Sequence, residues 1–209
     1  MSKIYVLGIG PGHKDYILPV VMNTIYNCDV LIGGKRHLED FKDLGKEMLY
    51  IGSNLKELIQ YTKENQQNKK IAYLLSGDTG FYSMLSFLKK YFKSNELEVI
   101  PGISSYQYLM AKVGQTWHDA YIGSLHGREF DFLEVVKKYK KVILLTDQKY
   151  SPKEIARKMI NDHIQGKIMI IGENLSYPNE KITIASLEEV IHISEFNMCV
   201  VVIVDELEI

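Results

Sequence analysis

Cysteine is scarce in this 209-residue chain, which has only Cys28 and Cys199. Each sits in an apolar run, and no Cys-x-x-Cys or Cys/His spacing appears. A disulfide scaffold and a zinc site are therefore excluded, no metal constellation is read, and free thiols in a reducing compartment are expected. Charge of one sign is also lacking. The net charge of -1 gives no whole-chain attraction to nucleic acid or to an anionic membrane. No apolar stretch is long enough to cross a bilayer. The N-terminal run Met1-Ser2-Lys3-Ile4-Tyr5-Val6-Leu7-Gly8 goes straight into a strand and lacks a secretory layout. A cytoplasmic protein is the expectation. Internal repeats and low-complexity segments are missing too. The remaining composition, 46% hydrophobic and 24% charged, belongs to a globular protein with a real core. The length fits one large domain or two small ones.

Short apolar runs alternate with amphipathic stretches. Ile4–Leu7, Val30–Ile32, Met48–Ile51, Ile71–Leu75 and Leu97–Ile100 read as buried strands. Helical spacing appears after Pro19 (Val20, Val21, Ile25), at Leu55, Leu58 and Ile59, at Leu85, Leu88 and Phe92, and at Tyr108, Leu109 and Val113. Nearly all-apolar strands alternating with helices predict an α/β fold with a parallel sheet covered on both faces. After Gly114 the pattern changes. Tyr121–Leu125, Val142–Leu145, Ile168–Ile171, Ile182–Ile184 and Cys199–Val204 are strand candidates, with good helices only around 132–139 and 155–160. This half reads as a mixed sheet. The expected domains are 1–114 and 115–209.

Four loops follow predicted strands, the place where open parallel sheets bind ligands. The first, Gly8-Ile9-Gly10-Pro11-Gly12, has its third glycine one residue too early for the dinucleotide fingerprint and lacks the Gly-Lys-Ser/Thr of a phosphate loop. A plain strand-to-helix turn explains it equally well. The second, Ser76-Gly77-Asp78-Thr79-Gly80-Phe81-Tyr82, reads as a helix cap by Asp78 or as a presenter of main-chain and carboxylate groups. Pro101-Gly102-Ile103-Ser104-Ser105 and Thr146-Asp147 admit the same pair of readings.

In this order and at these distances, the first three loops resemble those of the tetrapyrrole methylases, and the resemblance covers essentially the whole chain. Ile32-Gly33-Gly34-Lys35-Arg36-His37-Leu38, Ser124-Leu125-His126-Gly127-Arg128 and Gly172-Glu173-Asn174-Leu175-Ser176-Tyr177-Pro178-Asn179-Glu180 are similar to the branch that methylates carbon 5 of cobalt-precorrin-7. The resemblance implies two α/β domains with S-adenosyl-L-methionine in a cleft between them, a tetrapyrrole acceptor, a role in cobalamin biosynthesis and a homodimer. It further implies that Pro11, Gly77, Asp78, Phe81, Ser104, Ser105, Thr146, Glu173 and Met198 bind the methyl donor. Two departures are Thr79, where the family often has proline, and Leu18-Pro19, where it often has Thr-Pro. Thr79 is still expected to start a helix, and loss of the threonine cap costs about 1 kcal/mol.

Methyl transfer from a sulfonium requires alignment and exclusion of water more than an attacking protein group. A macrocycle with acetate and propionate carboxylates calls for cationic partners, arginine above all. Lys35, Arg36 and His37 are the candidate acceptor-binding residues, set against a solvated charged turn. His126 and Arg128 are the candidate catalytic pair, with His126 as a possible general base or as a carbonyl cap. Rival readings with the same early loops are a diphthine synthase, a ribosomal RNA methylase or a non-catalytic nucleotide-binding module. An RNA substrate predicts a basic surface, against the net charge here. In fused relatives a second domain methylates carbon 15 and decarboxylates. The chain is too short for it, so a separate protein is expected to supply that activity.

Overall fold

The computed structural model describes residues 3–206. The chain divides into two compact units between Ser104 and Ser105. The first holds β1 (Ile4–Gly8), α1 (Pro19–Asn27), β2 (Val30–Gly33), α2 (Lys35–Glu39), β3 (Glu47–Tyr50), α3 (Leu55–Asn65), β4 (Ile71–Leu75), α4 (Leu85–Leu88) and β5 (Leu97–Ile100). Its strands form one parallel sheet in the order β3-β2-β4-β1-β5. Alternation along each strand feeds two cores. Ile4, Val6, Ile32 and Tyr73 meet Leu58 and Ile59 of α3 on one face. On the other, Leu7, Leu31 and Leu74 meet Val21 and Ile25 of α1. Helices thus cover both faces, as the apolar runs predict.

Tyr73 is the largest fully buried side chain, and its hydroxyl needs a partner. Thr62 of α3 donates to the Leu58 carbonyl at 2.8 Å and accepts from Tyr73 at 2.7 Å. Burial pushes the Tyr73 phenol up to about 12, so it stays a donor. Helix α1 starts with Pro19 at its first position and no side-chain cap from Leu18, as read from the sequence. Two local expectations fail, and one alternative reading falls away. No helix starts at Thr79. The helix through Leu85 is a single turn; Phe92 lies beyond it, its side chain packed in the same core and its N–H bonded to the Leu88 carbonyl. Residues 35–39 form a helix rather than a turn.

The second unit holds α5 (Ser105–Lys112), β6 (Tyr121–Ser124), α6 (Phe132–Lys138), β7 (Lys141–Leu145), α7 (Pro152–Asn161), β8 (Lys167–Glu173), β9 (Lys181–Ser186), α8 (Leu187–Val190) and β10 (Cys199–Asp205). The sheet order is β6-β7-β10-β8-β9. Only β6 and β7 are parallel, joined by α6; the other pairs are antiparallel. Side-chain caps start three helices: Asp131 on α6, Ser151 with Pro152 on α7, and a reciprocal Ser186–Glu189 box on α8. The unit begins before α5, whereas the change of sequence pattern lies after it. Helix α5 packs on β10, and a Cβ at Gly172 would lie 2.8 Å from a Leu109 methyl.

The first unit is tightest where three loops leave β1, β4 and β5. A Cβ at Gly8 would stand 2.5 Å from the Gly102 nitrogen and 2.8 Å from the Gly77 oxygen. One at Gly102 would stand 2.6 Å from the Gly8 carbonyl carbon. Only backbone could yield to it, so Gly102→Ala should destabilise the protein by about 1–3 kcal/mol. Gly52→Ala, whose Cβ would have a single neighbour at 3.6 Å, should stay within about 0.5 kcal/mol of the parent. Urea unfolding of the two variants checks this; equal midpoints would refute the packing argument.

Candidate active site

Parallel pairing brings the loops after β1, β4 and β5 out of the same end of the first sheet. Gly10 and Gly77 exchange backbone hydrogen bonds, with Gly77 N–H donating at 2.8 Å and Gly10 N–H at 3.2 Å. Both glycines have positive φ, 79° and 67°. Asp78 Oδ1 accepts from Gly80 N–H at 2.8 Å, and its Oδ2 accepts from Gly102 N–H at 3.2 Å. The helix-cap reading of Asp78 is therefore corrected. No helix begins beside it, and its carboxylate ties the second loop to the third. Pro11 and Gly77 are buried, Ser104 is 3% exposed, and Asp78 and Phe81 are half-buried. Among the donor residues expected in this unit, the structure brings Gly77 and Asp78 together with the Gly10 and Gly102 backbone.

Lys35, Arg36 and His37 lie on α2, at the same end of the sheet after β2. Lys35 and Arg36 are exposed. His37 is corrected as a cation. Burial pushes its ring down to about 4, and the neighbouring Arg36 guanidinium adds to the fall. Its Nε2 accepts from the Arg36 guanidinium at 3.1 Å. The ring is a neutral support for Arg36, and its Nδ1, which then carries the proton, is buried without a hydrogen-bond partner.

The second unit has its own cleft of about 430 Å³, within the usual range for small-molecule pockets. His126, Thr146, Asp147 and Asn197 supply polar groups to it; Phe196 and Met198 supply apolar walls. His126 Nδ1 lies 3.1 Å from the Thr146 carbonyl oxygen. A carbonyl only accepts, so the ring carries its proton on Nδ1 and keeps Nε2 as its basic nitrogen. Asp147 accepts from Gly127 N–H at 2.9 Å and from Tyr150 N–H at 2.8 Å, which holds the 126–128 turn against the β7 loop. Cys199 is free, and burial pushes its thiol up to about 11, so it is a packing group beside Thr146.

Of the residues expected here, His126, Thr146 and Met198 line the cleft. Glu173 does not. It is 2% exposed and accepts from Asn197, which does line it. Arg128 is exposed, lies outside the lining and donates its N–H to the Leu125 carbonyl. Ser105 opens α5. Sequence reasoning missed Gln148, Ser151, Pro152 and Phe196. The signal for Ser151 and Pro152 was present, because Ser-Pro four residues past Asp147 is a helix start.

The tetrapyrrole (corrin/porphyrin) methylase pattern matches residues 3–191. The chain belongs to this family. Among the tetrapyrrole methylases it is 35% identical over 201 residues to the cobalt-precorrin-7 C(5)-methyltransferase of Salmonella typhimurium, covering 96% of this chain and 98% of that one. It is 40% identical over 196 residues to a probable cobalt-precorrin-7 C(5)-methyltransferase of Methanocaldococcus jannaschii, covering 90% of each. The fold matches that of the uroporphyrin-III C-methyltransferase of Thermus thermophilus, solved with S-adenosylhomocysteine. The TM-score is 0.78 at 18% identity, over 98% of this chain and 93% of that one. The glycine-knit loops thus occur on a tetrapyrrole methylase fold, and the chain is a methyltransferase.

Asp147 gives a pH test of the loop assembly. The Gly127 and Tyr150 N–H groups hold its carboxyl below the ordinary value of about 3.9. A depressed native value adds stability that is fully present above the unfolded value and is lost as pH falls through the native one. Asp147→Asn should therefore be less stable than the parent at neutral pH, with the gap narrowing as pH falls below the unfolded value of about 3.9. Urea midpoints at pH 7 and pH 3 measure it; a gap of equal size at both would refute the assignment.

Proposed function

We propose that this protein is an S-adenosyl-L-methionine-dependent methyltransferase acting at carbon 5 of a corrin precursor of the cobalt-precorrin-7 type, in cobalamin biosynthesis. The observation that carries the reading is identity of 35% and 40% to two proteins of that name, over nearly the full length of each chain. The acceptor rests on these relatives, because the fold is common to methylases of different tetrapyrroles.

S-adenosyl-L-methionine would supply a methyl carbon already activated by its sulfonium. The chain's task is then to bind, orient and keep water out. The residues fit that cofactor. Gly8, Gly77 and Gly102 let three strand loops pack backbone against backbone at one end of the sheet, and the cleft of the second unit is lined by polar His126, Thr146, Asp147 and Asn197 beside apolar Phe196 and Met198. Pro11, Gly77, Asp78, Phe81, Ser104 and Ser105 would hold the donor from the strand loops, with Thr146 and Met198 at the cleft. Glu173 belongs to this group through Asn197. Arg36, held by His37, Lys35 and Arg128 would pair with acceptor carboxylates. His126, with Nε2 as its basic nitrogen, would collect the proton released when the new carbon–carbon bond forms.

The homodimer belongs to this proposal by resemblance. So does a separate carbon-15 methyltransferase and decarboxylase, since the Salmonella relative, covered to 98%, is named for carbon 5 alone. No helix among the described residues is long and apolar enough to cross a membrane. The cytoplasm is the proposed place of work.

Two outcomes are expected. Calorimetry should detect S-adenosylhomocysteine binding in the presence of chelator, and labelled donor with cobalt-precorrin-7 should yield product methylated at carbon 5 by NMR. A folded protein that binds no S-adenosylhomocysteine, or methylates elsewhere, would overturn the reading. Arg128→Lys keeps charge and loses the planar fork, so it should weaken apparent acceptor affinity while sparing S-adenosylhomocysteine affinity. Unchanged acceptor kinetics would assign Arg128 to the solvated surface.

A further inference from the structure

The chain enters β10 through Phe196-Asn197-Met198, a segment outside any helix or strand that forms one wall of the 430 Å³ cleft. Asn197 and Met198 are exposed, yet both are fixed by the strands on either side. From β8, Glu173 Oε1 accepts from Asn197 N–H at 2.9 Å and from Asn197 Nδ2 at 3.3 Å. Asn174 donates its N–H to the Met198 carbonyl at 2.9 Å, from a left-handed backbone with φ of 45°. From β7, Thr146 Oγ1 donates to the Cys199 carbonyl at 2.8 Å.

The β8 side is held at a cost. Glu173 is 2% exposed, and its Oε2 is buried without a hydrogen-bond partner. The Lys181 ammonium is 3.8 Å away, beyond hydrogen-bonding distance, on a largely exposed side chain. A buried carboxylate so incompletely satisfied lowers stability. Sites that break a local rule in this way are commonly functional ones. What Glu173 does with its bonded oxygen is grip the cleft wall.

We infer that Glu173 is a positioning residue for the methyl-donor pocket, acting through Asn197 to hold Met198 in the cleft wall. The inference rests on the reading of this cleft as part of the S-adenosyl-L-methionine site. It differs from direct contact, because Glu173 does not line the cleft.

The test compares wild type, Glu173→Ala, Glu173→Gln, Asn197→Ala and Met198→Ala, and the Glu173→Ala/Met198→Ala double variant. S-adenosylhomocysteine affinity is measured by calorimetry, well below each thermal midpoint. Hydrogen exchange is followed at the Asn197 amide without ligand. Glu173→Ala should weaken binding about tenfold and speed that exchange by at least about as much. Glu173→Gln, which keeps an acceptor oxygen, should stay within about threefold of wild type. With Met198 already truncated, Glu173→Ala should cost less than about threefold more. Folded Glu173→Ala with wild-type affinity would overturn the inference, even if its exchange were fast. Should Glu173→Ala not fold, Asn197→Ala decides. It alters an exposed side chain and should weaken binding about threefold; wild-type affinity there would overturn the inference. Absence of binding by wild type would be a different failure, that of the donor-site reading itself.

Discussion

Three backbone segments meet at Gly8, Gly77 and Gly102 with no space for a carbon between them. This contact exists because β1 runs between β4 and β5 in the same direction as both, so their three loops leave one edge of the sheet side by side. Hydrogen bonds between Gly10 and Gly77, and from Gly102 N–H to Asp78, then lock the loops as a unit. Any side chain at the contact would push apart the strand ends that carry Pro11, Asp78 and Ser104. The parallel order of the sheet and the bareness of these positions are therefore one constraint seen at two scales.

The second unit reaches a similar end by other means. Its loops are joined by carboxylates that accept backbone N–H groups: Asp147 binds Gly127 and Tyr150, and Glu173 binds Asn197. In both units the acidic groups near the loops are largely spent on the protein's own backbone. A ligand in the cleft of the second unit meets the polar side chains of His126, Thr146 and Asn197 and the apolar walls of Phe196 and Met198. That inventory suits a donor whose reactive carbon needs orientation and a dry surrounding, since no protein group has to attack it.

The ten described strands were legible, the central ones because a buried strand in such a sheet is a nearly unbroken apolar run, such as Ile71–Leu75 or Val200–Val204. Short helices were not. Residues 35–39 carry one buried side chain, Leu38, and a single turn has too few positions to show a period. The loop motifs could be located by their glycines, but not their wiring. Nothing in Gly-Asp-Thr-Gly announces that Asp78 reaches Gly102, twenty-four residues on. The hydrogen-bond partners of His37 and Glu173 were hidden for the same reason. Whether a histidine is a cation or a neutral prop depends on burial and on a neighbour's guanidinium, which only the folded chain supplies.

Strand β10 lies at the centre of the second sheet, hydrogen-bonded to β7 on one side and β8 on the other. It is also the last described strand in chain order. During synthesis β6 and β7 can pair, as can β8 and β9, but the two pairs have no common partner until residues 199–205 emerge. Closure of the sheet then joins segments far apart in sequence, the kind of contact that slows folding. Until that moment β7 and β8 each present an open, strongly apolar edge. Unpaired edges of this kind are where a chain still being made is most open to pairing with another chain.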